Sequence, residues 1–109
     1  MAAKFVLKMS GDQFMFNLVS GNGQTLLTSE RYTTRAAATN GIASVKKNAA
    51  NDRMYEMTAS GKRFNLKAGN GQVIGGSQNY ASEDSARAGM ESVKGAAAEA
   101  LVDDQTAET

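Results

Sequence analysis

The chain contains no cysteine, no histidine, no tryptophan and no proline. Without cysteine it can form neither a disulfide framework nor a thiolate metal site. Without histidine it lacks the commonest general base, the commonest zinc ligand and the serine–histidine pair of many hydrolases. The absence of tryptophan and proline is compatible with many folds and excludes little. The composition thus removes the most frequent catalytic and metal centres from consideration, and we assign no cofactor.

Long apolar runs are also missing from the sequence. No stretch approaches the ~20 apolar residues of a membrane-spanning helix, and residues 1–8 lack the apolar run of a signal peptide. We therefore expect a soluble protein of the cytoplasm that has no membrane partner. A chain of 109 residues is long enough for one domain with one core.

Charge is distributed unevenly along the chain, although the net charge is only +1. Residues 99–109 carry four acidic side chains and no basic one, whereas residues 1–98 carry 12 basic and seven acidic side chains. This surplus is mildly basic and falls short of the concentrated charge of a nucleic-acid-binding protein. We expect residues 103–109 to form a disordered acidic tail.

One stretch of the sequence occurs twice, 48 positions apart and without a gap. Residues 16–46 and 64–94 share 14 identities in 31 positions. Each copy of about 48 residues is near the lower size limit for independent folding, so the two copies are expected to share a core. The sequence therefore predicts a domain of residues 1–102 that is built from two repeats, at about 4–51 and 52–98.

Alternating apolar residues predict strands in each copy. In the first copy they predict a strand near residues 5–9, a second at 14–19 and a third at 25–29. The glycines of Gly-Asn-Gly at residues 21–23 suit a tight hairpin. A two-residue loop would pair Leu18 with Leu27, and a three-residue loop with Gly23 left-handed would pair Leu18 with Leu26. The second copy has Ile74 in the place of Leu26 and Gly75 in the place of Leu27. Only the position of Leu26 is apolar in both copies, which favours the three-residue loop.

The apolar period changes to that of a helix after each third strand. Thr34 and Ser82 are suitable N-cap residues. The first helix should end near Asn48, and the second should continue through Ala100. A further strand at 54–58 begins the second copy. The order predicts an α+β fold in which two β-β-β-α repeats share one largely antiparallel, six-stranded sheet with both helices on one face.

The repeated strings closely resemble the YegP-like family of small bacterial proteins, a domain of unknown function (DUF1508, also UPF0339). The resemblance rests on Phe-Asn-Leu at 16–18, Gly-Asn-Gly-Gln at 21–24, Ser-x-x-Tyr at 29–32 and Gly-Ile-Ala-Ser-Val-Lys-Lys-Asn at 41–48. The second copy departs from it at Gly75-Gly76 and Gly95-Ala96. The resemblance implies that the last strand of each repeat joins the sheet of the other, so that the chain is a monomeric internal pseudo-dimer. It carries no established catalytic residues.

Several side chains could form an interaction surface, and each also has a simpler structural interpretation. Asparagine is depleted in strands, so Asn17 and Asn65 either contact a partner or make a local hydrogen bond. Tyr32 and Tyr80 either stack on a base or close the core. The lysines either form a basic patch, together with nearby arginines, or are simply solvated. They are Lys46, Lys47, Lys67 and Lys94.

Catalysis is not predicted. The carboxylates are dispersed, and no nucleophile has a visible base partner. The glycine-rich strings join two strands rather than opening a helix, so a hairpin is favoured over a phosphate-binding loop. We expect a structural or interaction module that acts through an unidentified protein partner, with the uncovered sheet face as its surface. The alternative is a weak, electrostatic nucleic-acid-binding protein.

Overall fold

The computed structural model describes residues 3–106, which form one sheet and two helices. The elements are β1 (Lys4–Ser10), β2 (Gln13–Val19), β3 (Thr25–Ser29), α1 (Arg35–Asn48), β4 (Tyr55–Met57), β5 (Phe64–Lys67), β6 (Val73–Gly76), α2 (Glu83–Glu99) and β7 (Leu101–Asp104). A short 3-10 turn, Asp52–Met54, precedes β4. The strand order is β4-β5-β6-β3-β2-β1-β7, and every neighbouring pair is antiparallel except β1 and β7. The predicted α+β class is confirmed.

The strand that follows each helix joins the sheet beyond the copy to which that helix belongs, as the resemblance implied. β4 follows α1 and pairs with β5, as the first strand of the second copy, and β7 follows α2 and pairs with β1 of the first copy. The central pair, β3 with β6, joins the two halves into one continuous sheet.

The β2–β3 hairpin has the three-residue loop that the sequence predicts. Gly23 has a φ of +90°, and its N–H donates to the Ser20 carbonyl at 2.9 Å. The Ser20 N–H in turn donates to the Gln24 carbonyl at 2.9 Å. Glycine reaches this left-handed conformation at little cost. Gly71 repeats the geometry in the second copy with a φ of +86°.

The strand register beyond this loop differs from the prediction. Leu18 pairs with Leu27 and not with Leu26, because a β-bulge follows the pair of Val19 with Thr25. The bulge adds one residue to β3, and both leucines are buried. The prediction assumed an unbroken alternation of faces, which a bulge interrupts.

The seam between the copies lies where β3 meets β6. Thr28 pairs with Gly76, and these two residues occupy equivalent positions 48 apart in the sequence. The axis that relates the copies therefore passes close to this pair. Beside it, a Cβ on Gly75 would lie 3.2 Å from the Cγ of Leu27 and 2.7 Å from the Thr28 carbonyl oxygen. The seam has room for one leucine, and the first copy supplies it.

Both predicted N-caps are present. The hydroxyl of Thr34 accepts from the N–H of Ala37 at 3.0 Å, and that of Ser82 accepts from the N–H of Ser85 at 3.1 Å. These bonds satisfy amides that a helix leaves unpaired in its first turn. α1 ends at Asn48 as predicted, with two lysines in its last turn.

The C-terminal segment corrects two predictions. The sheet has seven strands in the described residues and not six, because the chain turns extended at Ala100 and continues as β7. Asp103 and Asp104, which we expected in a disordered tail, belong to this strand. The Asp103 carboxylate lies 3.6 Å from Lys4 Nζ, and Asp104 pairs with Arg35. The remainder of the predicted tail, residues 107–109, lies outside the described residues.

The core lies between the sheet and the two helices. Its largest fully buried side chains come from both copies: Phe5, Leu7, Phe16, Leu18, Leu27, Val45, Phe64, Leu66 and Val93. They belong with the other buried apolar residues to a single cluster. A shared core is what two copies that are too small to fold alone require.

Candidate functional site

The predicted site residues do not form one surface. The structure places Asn17, Asn65 and Lys67 on strands, Tyr32 and Tyr80 at the junctions between sheet and helices, and Lys46, Lys47 and Lys94 on the helices. The structure does not bring all of these residues together, because the side chains of the three strand residues point to the side of the sheet opposite the helices. Their role in binding a partner stays a prediction.

The sheet face opposite the helices, here called the open face, carries a row of residues that crosses every strand. The row runs through the register pairs in the order Asp103, Val6, Asn17, Thr28, Gly76, Asn65 and Glu56. Asn17 is only 9% exposed, and its Nδ2 donates to Thr28 Oγ1 at 2.9 Å. The simpler interpretation of Asn17, a local hydrogen bond, describes this contact.

Asn65 has a different environment from Asn17. It lies opposite Gly76, which occupies the position of Thr28, so no hydroxyl faces its amide across the strands. The nearby Lys67 Nζ lies 3.0 Å from a carboxylate oxygen of Glu56. Asn65 and Lys67 are both partly exposed. Near the centre of the open face, Asn65 is thus a partly exposed asparagine that lacks a cross-strand hydroxyl and lies beside a lysine.

The two tyrosines serve the core. Tyr32 stacks on Phe16 with ring centroids 6.3 Å apart, and Tyr80 stacks on Phe64 at the same distance. Each hydroxyl end lies against a helix glycine: a Cβ on Gly41 would lie 2.9 Å from the Tyr32 Cζ. Gly89 has the same relation to Tyr80. These glycines let the helices approach the rings closely, which explains why both copies have them.

The helix lysines are spread over three environments. The Nζ of Lys46 lies 5.8 Å from the centre of the Phe5 ring, and that of Lys94 lies 5.9 Å from the centre of the Tyr55 ring. Lys94 also donates to Asp52 and to Glu91, and its hydrogen bond to Asp52 is the main cause of its raised pKa. Lys47 is exposed in the last turn of α1.

A groove beside the sheet edge is a feature that the sequence reasoning missed. It lies between β4 and α2, has a volume of about 500 Å³, and is lined by Asp52, Tyr55, Met57, Arg87, Ala88, Met90, Glu91 and Lys94. Its lining combines apolar and charged groups. The sequence held one signal for it, since Thr39 and Ala43 of the first copy are replaced by the charged residues Arg87 and Glu91 in the second.

Two further observations limit the chemistry of the described residues. All seven aromatic side chains belong to the core or pack against it, so none is offered on the open face as a stacking platform. Within residues 3–106 no group of three or more carboxylates is placed to hold a metal ion. No helix in this range is long and apolar enough to cross a membrane.

Tyr55 provides a prediction for the pH dependence of stability. Burial, and then the carboxylates of Asp52 and Glu91, raise the pKa of Tyr55 above its ordinary value. The unfolded chain therefore loses this proton at a lower pH than the folded chain, near the ordinary value of about 10. The stability that Tyr55 contributes is present below that pH and should fall above it, by about 1.4 kcal/mol per pH unit.

The substitution Tyr55→Phe isolates this effect. It removes the hydrogen bond that the hydroxyl donates to the Ala49 carbonyl at 2.6 Å. This loss lowers the free energy of unfolding by the same amount throughout the neutral pH range. In urea unfolding between about pH 8 and pH 11, the advantage of the wild type over this variant should shrink above about pH 10. Other groups titrate in both proteins and cancel in the difference. An advantage that stays constant with pH would contradict the assignment.

Comparison with known proteins supports one family. Its model, described as a domain of unknown function (DUF1508), matches the chain twice, at residues 10–56 and 58–104. A UPF0339 protein of Bordetella pertussis is 59% identical over 56 residues, or 51% of this chain and 50% of that protein. In these alignments the chain spans about half the length of the curated relatives it matches.

Solved structures agree with the fold. The solution NMR structure of YegP from E. coli, a protein of unknown function, has a TM-score of 0.89 and 45% sequence identity, and the match covers 100% of this chain and 97% of that one. A UPF0339 protein from Shewanella oneidensis gives a TM-score of 0.87 at 40% identity, covering 97% and 93%. The two family matches, the exchanged strands and these structures show that the chain belongs to the YegP-like family of DUF1508 domains, whose function is unknown.

Proposed function

We propose that the protein is a non-catalytic interaction module that binds a protein partner on the open face. The observation that carries the proposal is that both helices cover the same side of the sheet, which leaves the other side uncovered. A sheet with one exposed face usually alternates apolar and polar side chains along its strands. Here the exposed side has a cross-strand row with only one apolar side chain, Val6, and a glycine at its centre.

The centre of the open face supports a contact with a polar protein surface. The side chain of Asn65 lies close above Gly76, because a Cβ on Gly76 would come within 3.0 Å of Asn65 Oδ1. The partly exposed amide can donate to and accept from a partner backbone. The neighbouring Lys67 adds a donor whose own partner, Glu56, is exposed. Ion pairs of this kind are weak and can be exchanged for a partner carboxylate.

The arrangement of aromatic residues favours a protein partner over a nucleic acid. Modules that bind single strands on a sheet stack bases on exposed aromatic rings. In this fold the aromatic rings all serve the core. Binding through phosphates alone would weaken steeply as salt is added. Titration of labelled single- and double-stranded nucleic acid at low and moderate salt tests this alternative directly.

The test changes the open face and compares it with a matched change elsewhere. Asn65→Ala with Lys67→Glu alters the centre of the open face and leaves the hydrogen-bonded Asn17 intact. We expect these substitutions to reduce retention of the partner by about tenfold or more in affinity capture, since a few central residues carry most of the energy of an interface. Nuclease treatment should leave retention by the wild type unchanged.

The control makes the same chemical changes on the helical side. Asn40→Ala with Lys47→Glu replaces two exposed residues of α1. This variant should retain the partner as the wild type does. Equal loss in both variants, or capture that nuclease abolishes, would refute docking on the open face.

A further inference from the structure

The sheet has an internal asymmetry at its two edges, and it concerns a surface other than the open face. In the first copy Phe5 pairs with Leu18, and in the second Tyr55 pairs with Leu66. Leu18 and Leu66 are equivalent residues, so Tyr55 occupies the place of Phe5 in the fold. The ring contacts agree, because Lys46 lies over Phe5 as Lys94 lies over Tyr55. β4 therefore occupies the place of β1.

β1 is covered by another strand, and β4 is the last strand on its side of the sheet. β7 runs parallel to β1 and pairs with Phe5, Val6 and Leu7. Their counterparts in the second copy are the three residues of β4, Tyr55–Met57. Phe5 and Leu7 are 0% and 1% exposed, whereas Tyr55 and Met57 are only partly buried. The described residues thus contain a strand site that is filled on one side and open on the other.

The outer edge of β4 presents main-chain hydrogen-bonding groups at this site, of which the Tyr55 N–H already donates to the Asp52 carbonyl. Successive residues of an edge strand direct their N–H and C=O groups alternately toward the neighbouring strand and away from it. The Thr58 N–H donates to the Arg63 carbonyl at 2.9 Å, which directs Thr58, and so Glu56, toward β5. Tyr55 and Met57 therefore face outward. At the place of Met57 in the first copy, the Leu7 carbonyl accepts from the N–H of Gln105 in the chain that follows β7, at 2.7 Å.

The charges at the two sites are opposite in sign. The acidic strand β7 is held through Lys4, which lies 3.6 Å from Asp103, and through Arg35, which pairs with Asp104. In the second copy Glu83 stands in the place of Arg35, and Met54 in that of Lys4. Along the groove next to β4, the carboxylates of Asp52 and Glu91 share the ammonium of Lys94, and Glu83 pairs with Arg87, so that carboxylates outnumber cations by one. The site suits a basic strand and disfavours a copy of β7.

We propose that the outer edge of β4 binds an extended, basic segment of a partner protein, which adds an eighth strand parallel to β4. Its main-chain groups pair with the carbonyl of Tyr55 and with the N–H and carbonyl of Met57, and its apolar side chains enter the groove between β4 and α2. Its lysine or arginine side chains take the positions that Asp103 and Asp104 hold in β7, where they meet Glu83 and the exposed carboxylates. Strand addition at an exposed sheet edge is an established mode of peptide recognition.

Two synthetic peptides test the proposal with the full chain. One has the sequence of β7 and its next two residues, Leu-Val-Asp-Asp-Gln-Thr, and the other replaces both aspartates by lysine. In an NMR titration at low salt, the lysine peptide should shift the amides of Tyr55–Met57 and of α2. It should bind about tenfold more tightly than the aspartate peptide, since each of two surface charge pairs contributes a factor of a few. The difference should shrink as salt is added.

Variants of the protein locate the contact. Glu83→Arg restores the charge of the first copy and should abolish or invert the preference for the lysine peptide. Asp84→Arg makes the same charge change one residue away and should leave most of the preference. Asn65→Ala alone, which leaves the ion pair of Lys67 with Glu56 in place, should affect neither peptide, and this separates the site from the open face. The proposal is overturned if the aspartate peptide binds more tightly to the wild type, if the shifts avoid β4, or if neither peptide shifts any amide at millimolar concentration.

Discussion

Replacing Phe64 with alanine should lower the free energy of unfolding by about 3–5 kcal/mol. The ring is fully buried, lies edge-on to Tyr55 at 5.7 Å between centroids and stacks on Tyr80 at 6.3 Å. Its removal leaves a cavity beneath two partly buried rings. Because the core is shared, protection from amide hydrogen exchange should fall in both copies and not only in the second. Urea unfolding and exchange measured separately over residues 4–48 and 55–99 check these two results.

The matched comparison uses the first copy. Phe16→Ala should produce a loss of similar size, since Phe16 is equally buried and is the counterpart of Phe64. Met15→Ala, one residue away on the open face, should cost about 1 kcal/mol or less because its side chain is partly exposed. If exchange accelerates only in the copy that carries the substitution, the copies have separate cores and the shared core is refuted.

Giving the second copy the leucine of the first should be nearly as damaging. Gly75→Leu places a Cβ 2.7 Å from the Thr28 carbonyl oxygen and 3.2 Å from the Cγ of Leu27, across the seam between the copies. The backbone of β3 cannot move without disturbing the central strand pair. We expect a loss of about 3 kcal/mol, at the upper end of the usual cost of overpacking. The measurement is the midpoint of urea unfolding at an unchanged slope.

A double substitution distinguishes overpacking from a general weakness of β6. Leu27→Gly alone should cost about 3–5 kcal/mol, because it empties a buried site and loosens a strand. Leu27→Gly combined with Gly75→Leu moves the leucine across the seam, and the pair should cost about 1–3 kcal/mol less than the sum of the single losses. Part of the cost should persist, since the contact with the Thr28 carbonyl remains. Strict additivity would contradict the seam as described.

The duplicated sequence predicts most of the fold because local patterns decide most of it. Thr34 and Ser82 cap their helices as expected, and the loop at Gly23 has the predicted form. The error in the register of Leu18 has a physical origin. A bulge costs little where both of the residues it brings together, here Leu26 and Leu27, can be buried, and no sequence pattern marks it.

The strand β7 shows what sequence patterns cannot supply. Leu101 is 71% exposed, and Asp103 and Asp104 are both acidic. Neither an alternation of apolar and polar residues nor a buried apolar side chain therefore indicates a strand there. The strand exists because β1 has a free edge and because Lys4 and Arg35 lie near it, far away in the sequence. The groove beside β4 likewise forms between residues of β4 and α2 that are far apart in the sequence. Neither could be found until the two edges of the sheet were compared in space.

The seam around Thr28 and Gly76 has a consequence for how such a chain can change. In an assembly of two identical subunits, any substitution near the symmetry axis is introduced twice and must be compatible with itself. Here the connection between α1 and β4 makes the two sides covalently one chain, so each side can be altered alone. A large residue on one side and a glycine on the other is an arrangement that identical subunits could not reach.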